Sequence, residues 1–142
     1  ADTREDVEFL YPVHPNPNVH DVVTTMLGSH PRIHLCAPLD YAHFVAAMKA
    51  AYFILTDSGG VQEEAPALGK PVLVLRRETE RPEAVEMGVV KLVGPDYGGI
   101  VKESQRLLDD QVAYREMARG SSPYGDGKSA ERIVNVLRRH LS

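Results

Sequence analysis

Residues 53–75 read FILTDSGGVQEEAPALGKPVLVL, and their order decides the fold. An apolar run stops at Thr56-Asp57-Ser58-Gly59-Gly60. A helix-forming segment follows, closes at Gly69 as a C-cap, and a second apolar run, PVLVL, begins at once. Strand, helix and strand in so little sequence make a βαβ unit, whose two strands run parallel. Short apolar runs without alternation are what strands covered on both faces need.

The same pattern extends outward in both directions. VEFLYPV (7–13) and RIHLCAP (32–38) read as strands, with a Pro-rich turn and a short helix near 19–27 between them. DYAHFVAAMKAA (40–51) reads as a helix with Asp40 at its N-cap and Phe44, Met48 and Ala51 along one face. Beyond the central unit, RPEAVEMG predicts a brief helix, VVKLVG (89–94) a fifth strand, and helices follow near 99–118 and 128–141. The expected class is α/β, a Rossmann-like parallel sheet with flanking helices. The Gly- and Ser-rich loop 120–129 detaches the last helix, which carries Ile133, Val134, Leu137 and Leu141 on one stripe.

Composition narrows the function. A chain of 142 residues with net charge −4 and pI near 5.8 has no basic excess for nucleic-acid phosphates. Cys36 is the only cysteine, which excludes a disulfide-stapled domain and suggests a reducing compartment. No apolar run approaches the roughly 18 residues of a membrane span. No His, Cys, Asp or Glu spacing suggests a metal site, and Cys36 reads as a small core residue. The polar start at Ala1 reads as cut or processed.

Ligands of a parallel α/β sheet bind beyond the carboxyl ends of its strands. His14, Leu39, Asp40, the turn 56–60, and Arg76, Arg77, Thr79 and Arg81 fall at such ends. Ser58 suits a helix N-cap, and Gly59 and Gly60 leave the first-turn N–H groups uncovered at the positive end of the helix dipole, a place for a diphosphate. Glu64 lies four residues after Gly60 on the same face, where its carboxylate can accept from a cis-diol. Together they point to a nucleoside diphosphate. The plainer alternative is a tight glycine turn with solvated glutamates. Pro66 also counts against a regular helix there.

Arg81 can offer a bidentate grip to phosphate, whereas Arg76 and Arg77 read as surface charges paired with Glu78 or Glu80. A lone histidine such as His14 is more often structural than functional. A Ser58–His14–Asp57 triad is rejected, because adjacent Asp57 and Ser58 cannot place a histidine between them.

TDSGGVQEEAPALGKPVLVLR, TERPEA, YPVHPNPNV and PYGDG together closely resemble the bacterial non-hydrolysing UDP-N-acetylglucosamine 2-epimerases, in the right order and over nearly the whole chain. The resemblance implies the carboxyl-terminal half of a two-domain, glycosyltransferase-B-type fold. Residues 1–119 would be part of a UDP-binding domain, and 120–142 a loop and helix crossing back toward an amino-terminal half. It implies that Ser58, Gly59 and Gly60 hold the diphosphate, Glu64 the ribose and Arg81 the phosphate region. Leu39 and Phe44 would border the uracil, and His14 would belong to a regulatory UDP-N-acetylglucosamine site.

The implied chemistry is inversion at C2 of the sugar by elimination and re-addition of UDP, with no cofactor. The proton-transfer carboxylates would lie in the other half, so this chain alone is expected to be inactive. A cytoplasmic homodimer is the implied setting of the intact protein. Three alternatives stay open: an epimerase for another UDP-2-acetamido sugar, a hydrolysing 2-epimerase, and a stand-alone nucleotide-binding module.

Overall fold

A computed structural model describes residues 1–141. Its contacts divide the described residues into two compact units, 1–47 and those from 48 onward. In the first, strand β1 (Phe9–Pro12) pairs in parallel with β2 (Ile33–Cys36), with Phe9 opposite Ile33 and Pro12 opposite Cys36. The crossover between them is helix α1 (Pro17–Leu27). Its start is set by sequence: the Asn16 side chain accepts from the Asn18 N–H, and Pro17 sits at the first turn, where a missing N–H costs nothing.

Asp40 opens α2 (Tyr41–Ala50) as expected, accepting from the His43 N–H at 2.9 Å. That bond also holds the Asp40 carboxyl below the usual carboxylate range, with the His43 ring as a second donor. The apolar run of β1 is less covered than its composition suggests, for Leu10 and Tyr11 are exposed.

The second unit holds a parallel ladder in the order β3 (Ile54–Thr56), β4 (Val72–Val74), β5 (Val90–Leu92). All of β4 is buried, as befits the middle strand. Leu73 packs with Leu107 and Met117, and Phe53, Leu55 and Val93 close around them. The crossovers are α3 (Gly59–Ala67) and the brief α4 (Pro82–Glu86).

The stretch near 99–118 is two helices rather than one, α5 (Tyr97–Asp109) and α6 (Gln111–Met117). Asp110 leaves the helical conformation and accepts from the Val112 and Ala113 N–H groups, so an N-cap competes with helix continuation and wins. The last described element is α7 (Ser129–Leu141), none of whose residues is buried.

Candidate functional site

The turn between β3 and α3 is built by its own side chains. Thr56, nearly buried at the end of β3, accepts the Ser58 N–H on its hydroxyl at 3.0 Å. Ser58 occupies the N-cap position with extended backbone, yet its hydroxyl makes no cap bond. The first-turn N–H groups of α3, orphaned in any helix, are therefore left to another acceptor.

The glycines that follow are not required by the fold. Neither Gly59 nor Gly60 has a positive φ. A Cβ at Gly59 would meet nothing within 4 Å, and one at Gly60 would meet only the Ser58 Oγ at 4.0 Å. The tight-turn explanation thus loses its physical basis, while an open, donor-lined helix start remains.

Pro66 does not prevent the helix. It sits one residue from the end of α3, so its missing N–H leaves only the Gln62 carbonyl without its usual partner. The exit is tight: Leu68 is the cap, and Gly69 follows at φ 71°. The Gly69 N–H bonds the Pro66 carbonyl and the Lys70 N–H the Ala65 carbonyl, a Schellman pair that turns the chain into β4.

Arg81 lies in the loop after β4. Its Nε donates to the Glu63 carboxylate and its Nη1 to the Glu80 carbonyl at 3.1 Å. The hydrogen bond and charge of Glu63 raise its pKa further, so the guanidinium carries its charge at every working pH. Arg76 pairs with Glu80 through its Nη1 and Nη2 at 3.0 and 3.1 Å, as the sequence suggested. Glu64 stands next to Glu63 on α3, half-buried.

Four polar residues of this neighbourhood were given no individual role in the sequence, Thr79 having been placed only at the ligand-facing edge. Gln62 is fully buried and bridges the Ser58 carbonyl to Thr79. Glu63 is an ion-pair partner of Arg81. Thr79 accepts the Arg81 N–H at 3.0 Å. Tyr124 of the PYGDG stretch donates to the Arg81 carbonyl at 3.5 Å, and burial pushes its hydroxyl pKa up. The available signal was a lone amide among the buried positions of α3, beside Val61, Ala65 and Pro66.

The other candidates belong to residues 1–47. His14 is exposed and accepts the Asn16 N–H on Nδ1 at 3.1 Å. Leu39 and Phe44 are half-buried, and the Phe44 N–H donates to the Asp40 carbonyl at 2.8 Å. An open cavity of about 510 Å³ in this unit is lined by Val13, His20, Thr24, Leu35 and Pro38 among others, but by none of the three candidates. Among the described residues no group of three or more potential metal ligands comes together. No described helix is long and apolar enough to cross a membrane.

The family model described as UDP-N-acetylglucosamine 2-epimerase matches residues 1–138. A UDP-N-acetylglucosamine 2-epimerase of Campylobacter jejuni is 54% identical over 137 residues, which is 96% of this chain and 36% of that protein. Among solved structures, the S. aureus MnaA–UDP co-structure superposes with a TM-score of 0.92 at 49% identity, covering 99% of this chain and 38% of its own. The UDP-GlcNAc 2-epimerase from Neisseria meningitidis bound to UDP-GlcNAc gives 0.89 at 46% identity, covering 93% and 36%. The chain therefore spans little more than a third of the length of these relatives.

Proposed function

The chain belongs to the UDP-N-acetylglucosamine 2-epimerase family, and from that premise we propose that it supplies the UDP-binding part of an enzyme interconverting UDP-N-acetylglucosamine and UDP-N-acetylmannosamine. The observation that carries this reading is the start of α3. Its two glycines serve neither backbone conformation nor packing, and its first-turn donors lack a side-chain cap. An open helix start of this kind suits an anion, and a diphosphate fits that chemistry.

In this proposal Ser58, Gly59 and Gly60 hold the diphosphate, Glu64 takes the ribose hydroxyls, and Arg81 adds fixed positive charge. Leu39 and Phe44 border the uracil, and His14 belongs to a regulatory UDP-sugar site. Elimination of UDP places growing negative charge on the leaving phosphate. Donors and a guanidinium already aimed at it stabilise the departing group without reorganising, which lowers the barrier to C1–O cleavage. The proton-transfer groups are proposed to lie in the remainder of the protein, toward which α7 would carry its apolar stripe. A cytoplasmic homodimer completes the reading.

The test has two arms. UDP and UMP are titrated calorimetrically into the 142-residue chain, and the full-length gene product is followed by NMR with UDP-N-acetylglucosamine. The expected results are UDP binding tighter than UMP, and appearance of UDP-N-acetylmannosamine. Free N-acetylmannosamine with UDP release would mean a hydrolysing enzyme instead. No turnover and no UDP binding by the folded full-length protein would reject the proposal.

A further inference from the structure

Gln62 is out of character for its position. It is fully buried on α3, beside Val61, Ala65 and Pro66. A methionine would fill similar volume without needing partners, whereas a buried amide must engage both of its ends. Both ends are engaged, and each reaches a different segment. Nε2 donates to the Ser58 carbonyl at 3.2 Å, and Oε1 accepts from the Thr79 hydroxyl at 2.5 Å. The same Thr79 oxygen accepts the Arg81 N–H at 3.0 Å. The next residue, Glu63, holds the Arg81 guanidinium. Residues 62 and 63 of one helix thus fix both the backbone and the side-chain head of Arg81, while Gln62 also grips the carbonyl of the N-cap.

We propose that Gln62 is a positioning residue for the diphosphate: acting through Thr79, it sets the spacing between the Ser58–Gly60 turn and Arg81, so that both anchors engage a two-phosphate ligand without rearranging. The inference rests on reading that turn as the diphosphate cradle. Spacing between two anchors matters to a ligand that spans both and little to one that reaches a single anchor. Preorganisation of this kind shows in affinity rather than in new contacts. Gln62 itself need not touch the nucleotide.

The test uses the full-length protein and four variants: Gln62→Met, Thr79→Val, Thr79→Ser and the double Gln62→Met/Thr79→Val. UDP and UMP affinities and the Tm are measured for each. Gln62→Met and Thr79→Val are expected to weaken UDP about tenfold, the scale of one lost net hydrogen bond, with UMP changed less than about threefold. Thr79→Ser keeps the hydroxyl and is expected to retain the wild-type ratio of UDP to UMP affinity. The double variant is expected to lose no more than the worse single one, because both act through one chain of bonds.

An unchanged UDP-to-UMP ratio in Gln62→Met and Thr79→Val, or equal losses for both nucleotides alongside a lower Tm, would overturn the proposal and leave Gln62 a packing residue. Should Gln62→Met fail to fold, the Thr79 pair decides the matter alone. Arg81→Ala separates this failure from failure of the underlying reading. If that variant binds UDP normally, the cradle itself is wrong; if it loses UDP while the Thr79 variants do not, only the positioning role is.

Discussion

Gly59 and Gly60 cost α3 stability that alanine would restore. Each has a backbone any residue can adopt and room for a Cβ. Gly59→Ala and Gly60→Ala are therefore expected to leave the Tm unchanged or raise stability by up to about 1 kcal/mol. The same variants are expected to weaken UDP by about tenfold or more, since a methyl group would stand where phosphate approaches. Thermal unfolding and UDP titration of each variant check both halves, and a normal affinity would remove the glycines from the site. Glu64→Ala is expected to weaken UDP through loss of the ribose contacts, and an unchanged Kd would refute that role. Arg81→Ala is expected to reduce both UDP affinity and turnover, so kinetics indistinguishable from wild type would exclude it.

Single side chains decide where elements begin and end. The Asp110 carboxylate stops α5 and caps α6 through two backbone N–H groups. Those bonds, that of Ala113 foremost, hold its pKa below the ordinary value. A depressed folded pKa means the stabilisation is fully present above the unfolded pKa and is lost as pH falls through the folded one. Asp110→Asn keeps an acceptor without the charge. It is expected to unfold at nearly the wild-type temperature at neutral pH, with less of the acid-dependent fall. Asp110→Ala is expected to be less stable at neutral pH. Melting curves at neutral and acid pH distinguish the three proteins, and identical acid slopes would show that the cap contributes nothing to pH dependence. At the C-terminal end of α3, Gly69 at φ 71° is the one conformation in the β3–β4 crossover that truly favours glycine.

At the scale of the molecule, stability is concentrated around β4. Leu73 is fully buried against Leu107 and Met117, so Leu73→Ala is expected to cost about 2–5 kcal/mol. Ending the chain after residue 128 is expected to change stability by no more than about 0.5 kcal/mol, because nothing on α7 is buried. Denaturant unfolding of the two variants measures the contrast, and a large loss on truncation would show that α7 is held in solution. The break between α5 and α6 was not legible in the sequence, whereas the order of the strands, their parallel class, the Asp40 cap and the glycine exit of α3 were. Each follows from local periodicity or from the preferences of one residue and its near neighbours. The glycine turn was legible as a candidate, but that the turn itself does not require its glycines is visible only from the room around each Cβ. The partners Gln62 with Thr79 and Glu63 with Arg81, 17 and 18 residues apart, were decided by tertiary structure alone. Periodicity and single-residue preferences carry no information across such separations, and only the packing of a helix beside the loop after the next strand brings these side chains together.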